Sequence, residues 1–242
     1  MTKRRPPRPL EQLLAELYAD IAKAGPSPLD AAVVTTAAAD AAATIKSSAD
    51  LFHRGLTNAR DLGRPIDAVY FRAVAAVWQR TPLSIAGSRR THGRYHRRPD
   101  PTLYLCERPE TTLAEVRMFT LPRITTTFPV VVKLRRVLDL TDPSVAAATG
   151  LQAPALLLPW EALDDLFAIE AYSQLVAKMA RLSLFEGILV ESAAARGQKN
   201  LIVFTDNLRE ASSLALDPTD PTADALGIAE ADRSIIGQLE DS

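Results

Sequence analysis

The hydrophobic pattern of this chain changes period at Ile66, and that change limits the folds open to it. Upstream, Leu10, Leu13, Leu14, Leu17 and Ile21 recur at helical spacing and share one face. Gly25-Pro26-Ser27-Pro28 stops that helix. Ser27 then stands as the cap of a second helix, with Pro28 at its first position and Asp30 near its positive end. The alanine-rich stretch from about Leu29 to Ser47 predicts this second helix, and Asp50 to Asp61 a third, weakened by Gly55.

Downstream the signal is that of strands. Ala68 to Val74, Thr102 to Cys106, Val130 to Leu134, Val137 to Leu140, Gly187 to Glu191 and Leu201 to Phe204 are short β-rich runs. Between them, Pro82 to Asp100 is a polar, basic loop, and Pro109-Glu110-Thr111-Thr112 opens a short helix that carries Glu115 early. Trp160 to about Leu184 predicts one long helix, with Leu163, Leu166, Phe167, Tyr172, Leu175 and Met179 as core contacts. The order of elements predicts an α+β fold with a mixed sheet core over 66–214. A helical extension over 1–65 precedes it, and an acidic, loosely ordered tail over 215–242 follows.

Composition narrows the functional classes. No apolar run approaches the ~20 residues that a membrane helix needs, and no apolar segment follows the basic start to make a secretory signal. Cys106 is the only cysteine, so no intrachain disulfide forms, which suits a cytoplasmic protein. The net charge of −1 argues neither for nor against nucleic acid. Arg89, Arg90, His92, Arg94, His96, Arg97 and Arg98 crowd into ten residues without helix-turn-helix pattern or interleaved aromatics. That run is either a solvated loop or an anion site for a phosphate-bearing small molecule, and direct nucleic-acid binding is not expected.

Several residues carry chemistry in their placement. Arg94 follows Gly93 in the basic loop, where a guanidinium either clamps an anion at two points or is an ordinary surface arginine. Tyr104 alternates with Leu103 and Leu105, so it faces away from them, either into a cleft where it stacks on a ligand ring or as an ordinary strand tyrosine. Glu115 sits in an apolar stretch, as a surface charge or as an acid that steadies a developing cation in a dry site. Arg72, inside a strand, calls for a partner, either a ligand phosphate or an acid such as Glu115. Ser192 ends a strand, and no histidine and acid are spaced to make it a triad nucleophile, so a ligand-binding hydroxyl is the better reading. His92 and His96 form a weak metal signal with no further ligand cluster, and no metal is expected. No Gly-x-Gly-x-x-Gly or P-loop is present, which argues against a Rossmann cofactor site or a nucleoside triphosphatase.

Val69-Tyr70-Phe71-Arg72, Gly93-Arg94-Tyr95, Leu103-Tyr104-Leu105, Leu113-Ala114-Glu115-Val116 and Glu191-Ser192-Ala193, followed by Asn200, resemble the RES domain, over about Ala68 to Leu208. The resemblance implies an ADP-ribosyltransferase-like fold and an NAD⁺-degrading toxin of a bacterial toxin–antitoxin system. Such a protein breaks the nicotinamide–ribose bond by hydrolysis or phosphorolysis. It needs no cofactor, because NAD⁺ is the substrate and inorganic phosphate a potential co-substrate. The resemblance also implies a helix-turn-helix antitoxin partner and a homodimer. It assigns catalytic roles to Glu115, Arg94 and Tyr104, and substrate binding to Arg72, Tyr95, Ser192 and Asn200. Gly-Arg-Tyr-His stands where the family has Gly-Arg-Trp-Asn, and Glu191-Ser192 where it has Pro-Ser. A mono-ADP-ribosyltransferase acting on a protein, or a non-enzymatic nucleotide- or partner-binding module, are the alternative readings.

Overall fold

The computed structural model describes residues 9–23, 28–59, 61–119 and 124–237, so the expected Ser27 cap lies outside the described residues. Two helices, α1 (Leu10–Lys23) and α2 (Pro28–Asn58), lead into the sheet. The strands are β1 (Gly63–Ala75), β2 (Thr102–Cys106), β3 (Thr125–Asp139), β4 (Gly187–Glu191), β5 (Lys199–Phe204), β6 (Ser213–Leu216) and β7 (Ser234–Ile236). Between them lie α3 (Pro109–Phe119), α4 (Pro143–Thr149), α5 (Glu161–Phe167), α6 (Tyr172–Leu182) and α7 (Thr222–Ala225). The architecture is α+β, as expected. No described helix is long and apolar enough to cross a membrane.

The sheet runs β1-β2-β5-β4-β3-β6-β7, and a further pairing joins β1 to β3. The long β1–β3 antiparallel ladder, from Gly63↔Leu138 to Ala75↔Thr125, therefore closes β1, β2, β5, β4 and β3 on themselves. Among the described strands only β3–β4 pair in parallel, which makes the sheet mixed. Because side chains alternate across a strand, β5 feeds two cores. Ile202 and Phe204 pack with the helices, and Leu201 and Val203 pack on the other side with Leu103, Leu105 and Val130. The N-terminal helices share the first of these cores: Leu10, Leu14 and Leu17 of α1 and Ile45 and Phe52 of α2 join Leu138, Ile188 and Ile202. Each such side chain contributes about 1.5–3 kcal/mol on burial.

The structure departs from the expected elements at four places, each for a local reason. The second and third helices are one, α2, because its buried face continues unbroken through Ile45, Ala49, Phe52 and Leu56. Gly55 does not weaken it. A Cβ there would stand 2.4 Å from the Thr149 Cα, so the glycine lets α2 lie against the end of α4. The two expected strands near Val130 and Val137 are one, β3, because β1 pairs along almost all of it. The long helix expected from Trp160 divides. Ala168 takes a left-handed φ of 53° that ends α5, and the Gln174 side chain accepts from the Ala171 N–H at 2.9 Å to start α6. Leu166 is consequently exposed rather than in the core. Finally, the expected loosely ordered tail holds α7 and β7 as far as it is described, and β7 extends the sheet through β6.

Candidate active site

The register of three strands and one helix assembles the site. Cys106 of β2 lies opposite both Phe71 of β1 and Asn200 of β5, and Asn200 lies opposite Val190 of β4. This row brings Arg72, Asn200 and the end of β4 together, and α3 lays Glu115 across them. One carboxylate oxygen, Oε1, accepts from Ser192 Oγ and from Asn200 Nδ2, each at 2.6 Å. Short charge-assisted bonds of this kind hold a carboxylate firmly. The Ser192 hydroxyl in turn accepts from the backbone N–H groups of Ala194 (3.2 Å) and Ala195 (3.0 Å). Ser192 is therefore buried behind Glu115 and orients it. Among the described residues, Glu115 Oε2 has no hydrogen-bond partner, and Asn200 Oδ1 is buried without one.

Two guanidinium groups line the same cavity, of about 420 Å³. Arg72 is half-buried, and the desolvation of its guanidinium lowers its pKa to about 10. It makes no ion pair with Glu115. It donates to the carbonyls of Tyr104 (3.3 Å) and Ser84 (3.2 Å), while its Nε is buried with no partner. A half-buried guanidinium whose bonds among the described residues go only to carbonyls keeps its charge available to an anion. Arg94 donates through Nη1 to the carbonyls of Leu158 (2.6 Å) and Leu156 (3.3 Å). Those carbonyls belong to a stretch braced by the N-terminal helices. Gln152 accepts from the Leu10 N–H and donates to Ser48, and the Tyr18 hydroxyl donates to the Pro159 carbonyl. The extension thus supports the arginine.

Tyr104 faces away from Leu103 and Leu105, but its hydroxyl is engaged. It accepts from the Tyr95 N–H at 3.0 Å and lies 2.8 Å from His96 Nδ1. His96 Nε2 meets the Thr91 carbonyl at 3.1 Å, which can only accept. Nε2 therefore carries the proton, and Nδ1 accepts from the Tyr104 hydroxyl. Burial depresses the His96 pKa, which agrees with this neutral ring. Burial also pushes the Tyr104 and Tyr95 phenols upward and the Cys106 thiol up to about 12, so all three stay protonated. Gly93 completes the turn: a Cβ would come within 2.5 Å of His96 Cε1 and 3.0 Å of the Tyr104 hydroxyl.

Two residues of the site escaped the sequence reading. Gln174 of α6 is buried and donates to the Gly93 carbonyl at 3.0 Å, which anchors the turn from below. Asp164 of α5 pairs with His92 and, at 2.8 Å, with Arg97, which closes the loop from the side. Nothing in the local sequence marked them, since α5 carries Glu161 and Asp165 as well as Asp164, and α6 carries Ser173, Lys178 and Arg181 beside Gln174. Of the basic run, Arg90 and Arg98 are exposed, Arg89 borders a separate cavity of about 700 Å³ without these residues, and Arg94 alone among the arginines lines the site. His92 and His96 turn to different partners. No group of three or more potential metal ligands occurs among the described residues.

The family model of the RES domain matches residues 69–224. Among solved structures, the chain is similar to the crystal structure of the M. tuberculosis MbcT-MbcA toxin-antitoxin complex. The similarity covers 78% of this chain and 90% of that one, at 19% identity and a TM-score of 0.45. No curated protein matches the chain.

Proposed function

Because this chain belongs to the RES domain family, we propose that it is an NAD⁺-degrading toxin of a toxin–antitoxin system, cleaving the bond between nicotinamide and its ribose. The observation that carries this reading is Glu115, fixed through Oε1 by Ser192 and Asn200 with Oε2 left free beside a cavity lined by Arg72 and Arg94. In this reading Arg94 and Arg72 take the diphosphate, and Tyr95 and Tyr104 wall the nicotinamide end. As the C1′–N bond lengthens, the bonding pair leaves with nicotinamide and positive charge develops on the ribosyl ring. The Glu115 carboxylate, positioned beforehand, stabilises that charge, as carboxylates do in glycoside hydrolysis. Water then attacks C1′ and loses a proton to give ADP-ribose. Phosphate attack gives the 1-phosphate of ADP-ribose instead.

The proposed setting is the cytoplasm. The proposed assembly is a homodimer neutralised by a helix-turn-helix antitoxin. The test is NAD⁺ loss by purified protein, with and without inorganic phosphate, beside Glu115→Ala. Loss that requires Glu115 is the expected result, and phosphate dependence selects the acceptor. A Glu115→Ala protein that turns over NAD⁺ at the wild-type rate refutes the assignment.

A further inference from the structure

We propose that α1 is a working part of the site: through the Tyr18 hydroxyl it fixes which edge of the Arg94 guanidinium meets the ligand, so that Tyr18 is a positioning residue that sets substrate affinity. This rests on the reading of Arg94 as an anion clamp above. Neither α1 nor α2 lies in the stretch that matches the family, residues 69–224.

A guanidinium carries five N–H donors in a planar fork. The two on Arg94 Nη1 are taken by the carbonyls of Leu158 at 2.6 Å and Leu156 at 3.3 Å. Among the described residues Nε and Nη2 make no hydrogen bond, so the edge that can grip an anion at two points is the free one. Arg94 lines the cavity that also holds Glu115. Its orientation is therefore set by where the two carbonyls stand, and they stand outside the sheet. Ala153–Leu157 is a short 3₁₀ helix, and Leu158 is extended after it.

α1 pins this stretch at both ends. At its start, Gln152 Oε1 accepts from the Leu10 N–H at 3.0 Å, and the Tyr172 hydroxyl of α6 accepts from the Gln152 N–H at 3.1 Å. At its far end the Tyr18 hydroxyl donates to the carbonyl of Pro159, the residue after Leu158. Leu10 and Tyr18 are about two turns apart on α1. Between them Leu14 and Leu17 are buried in one core with Ala155 and Leu156. The start thus has a second tether from α6, whereas Tyr18 holds the end beside Leu158. Burial, with Glu161 nearby, raises the Tyr18 phenol to about 12, so it stays a donor. Without that hydroxyl the Leu158 carbonyl shifts and the guanidinium turns with it. The Arg94 backbone stays on its turn, and Glu115 stays on Ser192 and Asn200. The loss therefore falls on binding rather than on the chemical step.

The test is NAD⁺ kinetics, with calorimetric titration by inorganic pyrophosphate, on wild type, Tyr18→Phe, Arg94→Ala and the double variant. Tyr18→Phe keeps the ring and removes only the hydroxyl, so the fold stays in place. The expected result is a KM for NAD⁺ and a Kd for pyrophosphate each raised about three- to tenfold in Tyr18→Phe, the scale of one hydrogen bond, with kcat nearly unchanged. In the Arg94→Ala background Tyr18→Phe adds nothing, because its effect runs through the guanidinium. Unchanged KM and Kd in Tyr18→Phe, a fall in kcat alone, or an effect that persists at full size without Arg94 overturns the inference. A wild type that leaves NAD⁺ intact, while its pyrophosphate Kd depends on Tyr18 and Arg94 in this way, sinks the cleavage reading and leaves the inference standing. NAD⁺ turnover with a KM that ignores Tyr18 sinks the inference alone.

Discussion

Replacing Gly93 by alanine tests whether the turn before Arg94 is held by contact rather than by chance proximity. The added methyl would lie 2.5 Å from His96 Cε1 and 2.7 Å from Nδ1, well inside van der Waals contact. The imidazole has no room to retreat unchanged, because Nε2 is held by the Thr91 carbonyl and Nδ1 by the Tyr104 hydroxyl. The ring must swing out, which breaks the Tyr104–His96 bond and disturbs the Tyr95 N–H to Tyr104 bond and the Gln174 bond to the Gly93 carbonyl. Each bond of this kind is worth about 0.5–1.5 kcal/mol, and a buried group left unpaired costs about 1–3 kcal/mol. A stability loss of about 2–3 kcal/mol follows, read by urea unfolding. Arg94, the next residue, moves with the turn, and a displacement near 1 Å at a substrate clamp lowers turnover about a hundredfold. A second change isolates the cause. In Gly93→Ala with His96→Ala the clash is gone, so the double variant is more stable than the two single losses summed. Strict additivity, or an unaltered Gly93→Ala protein, refutes the reasoning.

Other expectations follow from neighbouring contacts. Ser192→Ala removes one of two donors to Glu115 Oε1 and the acceptor for two backbone N–H groups; kcat for NAD⁺ should fall about tenfold or more with little change in KM, and an unchanged kcat contradicts the orienting role. His96 has a folded pKa below its unfolded value of 6.5, so its unfolded form binds more protons in the window just beneath 6.5. Its contribution is complete above that pH and is lost as pH falls toward and past the folded value. Urea unfolding across this range should give a steeper loss for wild type than for His96→Gln, and parallel curves would refute the neutral, buried ring. Gly55→Ala places a methyl 2.4 Å from the Thr149 Cα, a backbone atom that cannot rotate away, so it should cost about 1–3 kcal/mol by overpacking. Melting temperature reads this, and a variant as stable as wild type would mean that α2 and α4 have slack.

What the sequence made legible was local. The period change near Ile66, the alternation that turns Tyr104 away from Leu103 and Leu105, and the place of Glu115 on a short helix all depend on neighbours in the chain. The site itself depends on distant pairing. Glu115 meets Ser192 and Asn200 across 77 and 85 residues, and only the resemblance to the RES domain proposed those residues as one set. The roles of hydroxyls were not legible either, because whether Tyr104 faces ligand or braces the Gly93–His96 turn is decided by where His96 and Tyr95 fall in space. Gly55 misled for a related reason. Its helix-weakening propensity is small beside the packing it permits against Thr149. Gln174 and Asp164 stand among other polar residues on their helices, and only the loop 81 and 72 residues upstream gives them their roles.

The most direct measurement of the central claim is chromatographic analysis of products from NAD⁺ incubated with wild-type protein and with Glu115→Gln, which keeps the size of the side chain and removes its charge. The account predicts nicotinamide released in equal amount with ADP-ribose or its 1-phosphate by wild type, and a rate lower by about a hundredfold or more in the variant, the scale of losing one preorganised charge contact. Equal nicotinamide release by the two proteins, or intact NAD⁺ with both, contradicts it.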